Sequence, residues 1–259
     1  MNINLQHALL TILIVLVVTI PPVICYMRFV HHSESSGCHN SSQPALPNGT
    51  DTSSEKSNEI PVQPSKDFTI LIDPGHGGYD PGKVSPDGIK EKDINLSISE
   101  KLYKLLCSQG YSARLTRSSD ASLDSPESSS KKNSDLRNRT DMASDINADL
   151  YISIHQNSYS AEYIHGAQVF YYSTSTEGKE LAECIQEHLI SEVDPKNTRS
   201  AKGNSDYMVL TESPCTSVIV ECGFLSNTAE CSKLCTDSYQ KQLATAICNA
   251  INDWVSTHK

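Results

Sequence analysis

The sequence is short of apolar residues. They make up 37% of its 259 positions, and adding glycine still leaves it below the roughly 45–50% usual for a globular domain. A chain folded uniformly from end to end is therefore excluded, and the deficit should sit in a polar, unfolded stretch. Positive charge is scarce as well. Twenty-one Lys and Arg against 31 Asp and Glu give a net charge of −10, the wrong sign for holding a polyanionic backbone by counterion release, which excludes general nucleic-acid binding. Cysteine is present nine times, an odd number that cannot pair completely, and the spacings lack the short paired intervals of a zinc ribbon or small disulfide scaffold. Buried or free thiols are expected. No internal repeat is present, and the length suits one generous domain or two small ones.

The apolar residues that do occur are unevenly spread. Ala8 to Ile20 is interrupted only by Thr11 and Thr19, and apolar character continues to Met27. About twenty helical residues rise ~30 Å, enough to cross a bilayer. Pro21-Pro22 would kink or stop such a helix and leave a run of signal-peptide length. The first reading of residues 1–29 is an uncleaved signal anchor and the second a cleaved signal. No Lys or Arg precedes the run, whereas Arg28 follows it, so charge asymmetry does not favour export. Residues 30–66 are rich in Ser, Asn, Pro, Thr and Glu without an aromatic residue, the composition of a flexible linker. The histidines and Cys38 in this tract are read as incidental to it.

From Asp67 onward, strand-like and helical patterns alternate. Phe68 to Ile72, Tyr111 to Leu115, Leu150 to Ile154, Ala167 to Tyr172 and Ser217 to Val220 read as strands. Ile94, Ile98, Leu102, Leu105 and Leu106 recur at helical spacing, with Asp93 as a candidate cap and Gly110 as a stop. A Ser/Asp/Lys-rich loop spans Ser118 to Asn133, then a helix carries Leu136, Met142, Ala143 and Ile146. Leu181, Ile185 and Leu189 mark another helix, and Tyr239, Leu243, Ile247, Ile251 and Trp254 a closing one. This order predicts an α/β fold, a three-layer sandwich in which a mostly parallel twisted sheet of about six strands carries helices on both faces.

In such sheets chemistry gathers at strand ends. Asp73-Pro74-Gly75-His76-Gly77-Gly78 follows the first strand, His155 follows the third, and Glu221 follows Ser217 to Val220. Two imidazoles and a carboxylate at three strand ends make a candidate metal or acid/base site. Glu91, in a loop expected just before a helix, could fold back to the same rim. Taken singly, a histidine after a strand is commonly a satisfied loop residue, and a glutamate there commonly caps a helix. A phosphate loop is the rival reading, because Gly77 to Lys83 nearly spells one. It fails because Val84 stands where Ser or Thr should hold magnesium, and Ser85-Pro86-Asp87-Gly88 is a turn where a helix should start.

Four strings carry a stronger signal together: Ile70-Leu71-Ile72-Asp73-Pro74-Gly75-His76-Gly77-Gly78, Lys90-Glu91-Lys92-Asp93-Ile94-Asn95-Leu96, Asp149 through His155, and Val220-Glu221-Cys222-Gly223-Phe224-Leu225-Ser226-Asn227. In this order they resemble the zinc-dependent N-acetylmuramoyl-L-alanine amidases of the Amidase_3 family, over essentially all of 67–259. A narrower resemblance, to the short membrane-anchored amidases that prepare spore cortex for germination, rests on Ser134 to Arg139, Gly166 to Tyr172 and Thr198 to Lys202.

The resemblance implies a catalytic domain at 67–259 with one Zn²⁺ held by His76, Glu91 and His155, and Glu221 as the catalytic carboxylate. It implies a peptidoglycan glycan strand with its stem peptide as substrate, cut at the amide between the lactyl group of N-acetylmuramic acid and L-alanine. The implied setting is extracytoplasmic, at the membrane through the N-terminal segment or secreted if that is cleaved, as in the space between forespore and mother cell. A vegetative wall amidase and an inactive peptidoglycan-binding relative are the alternatives, and a protein regulator is a further candidate partner. Cys222 departs from the family's usual aliphatic residue; strand alternation points it away from Glu221, as a small buried hydrophobe. Cys231 and Cys235 lack further evident ligands, and His165 and His188 stay unassigned.

Overall fold

A computed structural model of the chain describes residues 66–258. The expected anchor (1–29) and all of the linker but Lys66 lie outside the described residues. Among those described, no helix is long and apolar enough to cross a membrane.

Six strands form one sheet: β1 (Thr69–Pro74), β2 (Ser112–Leu115), β3 (Leu150–Asn157), β4 (Gln168–Tyr172), β5 (Lys202–Asn204) and β6 (Thr216–Phe224), in the order β2-β1-β3-β6-β4-β5. The pairs β1/β2, β1/β3 and β3/β6 are parallel; β4 runs antiparallel to β6, and β5 parallel to β4. The expected three-layer α/β sandwich is therefore present, with its reversed strands confined to one edge.

Alternation along the strands sends successive side chains to opposite faces. Ile70 and Ile72, Leu150, Ile152 and Ile154, and Val218 and Val220 turn to one face. Three helices cover it: α1 (Glu91–Ser108), α3 (Thr176–His188, prolonged by a π turn at Leu189–Val193) and α6 (Asp237–His258). They contribute Ile98 and Leu102, Leu181 and Ile185, and Leu243, Ile247 and Ile251 to one continuous core. The other face carries a smaller cluster, in which Leu71, Tyr151, Phe170 and Ile219 meet Ala143 of α2 (Lys131–Asp145) and Val209 and Leu210 of the one-turn α4 (Met208–Thr211). The short α5 (Thr228–Leu234) follows β6.

The ends of α1 differ from each other and, in part, from expectation. Gly110 stops the helix as expected, in the left-handed conformation (φ 86°). Its N–H bonds Cys107 O and that of Tyr111 bonds Leu106 O, the paired closure that glycine makes possible there. At the start, Asp93 is not the cap. The helix begins at Glu91, whose N–H and that of Lys92 donate to the carbonyls of Lys83 and Pro81. A folded-back loop thus satisfies the helix terminus, and Asp93, inside the first turn, only complements the helix dipole.

Candidate metal centre

The three residues expected at strand ends occupy different backbone settings. His76 lies just past β1 in a left-handed conformation, φ 62°. His155 and Glu221 lie inside their strands, because the ladder continues beyond the apolar runs that mark it in sequence: β3 reaches Asn157 and β6 reaches Phe224. In that ladder His155 and Glu221 are direct register partners. Glu91, expected in a loop, is the first residue of α1. Its position at the helix start brings the carboxylate over the carboxyl ends of β1 and β3.

There Glu91 is 4% exposed and lies between the two imidazoles. Its Oε2 is 3.2 Å from His76 Nε2 and its Oε1 3.0 Å from His155 Nδ1. The rings stand edge to face with centroids 4.9 Å apart. Backbone N–H groups of Lys83 and Gln156 also donate to the two oxygens, at 2.7 and 3.0 Å. One donor atom from each of the three residues lies within 4.8 Å of the others, the only such group of three among the described residues. Burial raises the Glu91 carboxyl pKa, but the hydrogen bonds and charges of both histidines outweigh it and hold the group well below the usual carboxylate range. Burial lowers His76, and Glu91 and Asp80 overcome it to lift the ring to about 9.

In the deprotonated form that ligation requires, two imidazoles and one carboxylate are a donor set suited to a catalytic Zn²⁺, leaving net positive charge and an open position. The surroundings fit. His76 Nδ1 is 2.8 Å from Asp80 Oδ2, the outer carboxylate that commonly orients a ligating histidine. Asp80 was missed in the sequence; its signal was its place four residues after His76 within a glycine-rich turn. Two glycines make the close approach possible. A Cβ on Gly75 would stand 2.2 Å from the His155 ring, and one on Gly82 would stand 2.6 Å from Glu91 Oε2 and His76 Cδ2. Of the two glycines that resembled a phosphate loop, Gly82 therefore packs on the histidine and carboxylate cluster and Gly77 on Arg117 and the Ala121 carbonyl, and the following helix starts only at Glu91.

Glu221 projects to the same side. Its Oε2 is buried without a hydrogen-bond partner. Burial pushes the carboxyl up to about 7, with Glu91 adding to the rise against the pull of His155 and His76. A cleft of about 400 Å³ opens over His76, His155 and Glu221, with Tyr79, Lys132, Asp135 and Tyr207 among its walls.

The other candidates fall away from the cluster. Cys222 is fully buried on the α1/α3/α6 face, where burial first and the Glu221 charge second push its thiol far up, so it behaves as the expected small hydrophobe. All seven described cysteines are free thiols. Cys231 is buried in α5 and Cys235 exposed at its end. His188 pairs with Glu192 and Asp253, and His165 is exposed.

Comparison with known proteins agrees with this architecture. The family profile described as N-acetylmuramoyl-L-alanine amidase matches residues 70–253. The chain is 36% identical over 186 residues to the germination-specific N-acetylmuramoyl-L-alanine amidase of Bacillus subtilis (strain 168), covering 70% of this chain and 77% of that protein. It is 41% identical to the CwlD amidase from Clostridioides difficile, solved in complex with the GerS lipoprotein, at a TM-score of 0.71 covering 74% of this chain and 100% of that one. An N-acetylmuramoyl-L-alanine amidase from Clostridium difficile 630 is 31% identical at a TM-score of 0.67, covering 74% and 98%. With the match running from β1 through most of α6, the chain belongs to the N-acetylmuramoyl-L-alanine amidase family.

Proposed function

We propose that the chain hydrolyses the amide between the lactyl group of N-acetylmuramic acid and L-alanine of the stem peptide, with His76, Glu91 and His155 holding one Zn²⁺ and Glu221 moving the proton. The observation that carries the reading is the Glu91 carboxylate buried between two imidazoles, with Glu221 in register beside His155. Zn²⁺ held there supplies a Lewis acid that acidifies water and polarises the scissile carbonyl. Glu221 faces the same space with an unpartnered oxygen; it accepts a proton from the attacking water and returns one to the departing amine as the C–N bond breaks. Asp80 keeps the His76 ring turned toward Glu91.

The polymer substrate lies outside the cytoplasmic membrane, so the enzyme acts there, with residues 1–29 as anchor or signal and 30–66 as tether. The germination-specific relative and the CwlD structure support spore cortex as the wall attacked. The GerS complex of that relative supports a lipoprotein-type partner here as well.

The test is a digest of cortex and vegetative peptidoglycan by the purified full chain supplied with Zn²⁺, read by mass spectrometry beside metal analysis. One zinc per chain and free stem peptides beginning with L-alanine are expected. Glu221→Gln should keep the metal and release nothing, and His155→Ala should lose the metal. A zinc-loaded chain that releases no stem peptide from either wall, or full activity in Glu221→Gln, overturns the reading. Activity confined to vegetative wall removes the cortex role.

A further inference from the structure

Under the metal centre, on the α2 face of the sheet, lies a buried polar network that the hydrolytic reading leaves without a role. Its hub is Arg139 of α2, 2% exposed, against Asp73 of β1, 1% exposed. Arg139 Nη1 donates to Asp73 Oδ1 at 2.6 Å, and its Nε to Asp135 Oδ2 at 2.6 Å. Thr116 and Ser153 donate their hydroxyls to the two oxygens of Asp73. An ion pair this enclosed is not explained by stability alone, since burying both charges offsets most of their attraction.

Further donors of the network converge on one short segment, although Arg117 also reaches the Ser119 and Lys92 carbonyls. Arg139 Nη1 also reaches Pro74 O at 3.0 Å, and Nη2 reaches His76 O at 2.7 Å. Arg117, buried beside it, donates to Pro74 O at 2.9 Å and Gly75 O at 3.0 Å. Asn95 adds a bond to Gly75 O at 3.1 Å. Three successive carbonyls at the end of β1 are thus held by side chains. The last belongs to His76, whose φ of 62° is uncommon for a residue with a side chain. Such a conformation persists only where the surroundings over-determine it. Released from its carbonyl bond, the backbone would relax and swing the imidazole away from Glu91.

We propose that Arg139, oriented by Asp73 and Asp135, is a positioning residue that holds His76 in its left-handed state and so presets the metal site. Arg117 holds the two preceding carbonyls in the same clamp. This rests on the reading of His76 as a metal ligand. Lysine in place of Arg139 keeps the charge but lacks the planar fork that serves Asp73, Asp135 and His76 O together.

The experiment is Zn²⁺ and Co²⁺ titration of the full chain as wild type, Arg139→Lys, and Leu102→Ala. The last destabilises the opposite face and calibrates what lost stability alone does to metal binding. Arg139→Lys is expected to fold cooperatively, to bind both ions about 10–100-fold more weakly, and to shift the visible Co²⁺ absorption that reports ligand geometry. Leu102→Ala is expected to lose stability while keeping wild-type affinity and spectrum. Should Arg139→Lys fail to fold, Asp135→Asn, which removes the charge that orients the guanidinium but keeps an oxygen for the Leu123 N–H, should show the same loss to a smaller degree. Wild-type affinity and spectrum in the folded Arg139 or Asp135 variant would overturn the proposal and leave the metal site standing. A wild-type chain that takes up neither ion would instead overturn the metal reading, and this proposal with it.

Discussion

On one face of the sheet, β1, β3 and β6 turn isoleucine, leucine and valine toward three long helices. On the other, the same strands present Asp73, Ser153, His155 and Glu221 beneath α2 and a single turn of α4. The apolar face depends on volume and burial, which are non-directional and tolerate exchange of side chains of similar size. The polar face depends on named atoms at hydrogen-bond distance, where one lost partner leaves a buried group unsatisfied. Strand alternation lets each strand serve both purposes. Most apolar burial lies on the first face, while the second carries the candidate site.

That contrast can be broken at graded positions. The largest effect is expected from Gly75→Ala, because the added methyl would collide with the His155 ring. Metal content should drop, and the rate of stem-peptide release should fall by at least about 100-fold, the scale of a ~1 Å misplacement. On the apolar face, Leu102→Ala should lower the unfolding free energy measured in urea by about 2–5 kcal/mol through the cavity it leaves. The rate per folded molecule should be unchanged.

Acid should expose a dependence particular to the polar face. Burial alone would raise the Asp73 pKa, but Arg139, Thr116 and Ser153 hold it well below the usual range. Its contribution to stability is therefore complete above the unfolded pKa of about 3.9 and is lost as pH falls below that toward the depressed folded value. The stability gap between wild type and Asp73→Asn, followed by urea unfolding from pH 6 to pH 3, should narrow at the acid end. A gap constant with pH would show that the Asp73 charge is not coupled to folding. The smallest effect is expected from Cys222→Ala, which removes one buried atom from the apolar face. It should cost about 1 kcal/mol and leave hydrolysis intact; loss of hydrolysis would mean that the thiol is more than a small buried hydrophobe.

Much of the apolar face was legible in the sequence, because its periods are local. The runs at Ile70 to Ile72 and Leu150 to Ile154, and the stripe from Leu243 to Trp254, read directly as buried strands and an amphipathic helix. The polar face was legible only at its edges. His76, His155 and Glu221 stood out as polar residues after apolar runs, yet spacing alone left a metal site and an acid/base site both open. The ligand assignment came from the resemblance. The apolar pattern ends the strands before His155 and Glu221, whereas pairing with a neighbour continues past both. Asp93 reads as a cap that would leave Glu91 in a loop, whereas α1 starts at Glu91 and its terminus is met by carbonyls of a loop whose course sequence does not reveal. The reversed β4 edge and the contacts of Asp80 and Arg139 with His76 carry no periodic signal.

The sequence by itself determined which side of each strand is apolar, where glycine opens the chain for close approach, and that the charge is wrong for nucleic acid. The first two follow from neighbours a few positions apart, and the last from a sum over the whole chain. Only the tertiary structure decided that Glu91 lies between His76 and His155, that Glu221 stands beside His155, and that Arg139 grips the carbonyl of a residue 63 positions away. Those contacts join distant segments over about 3 Å, the reach of a hydrogen bond, and only the packed sheet brings the segments that close.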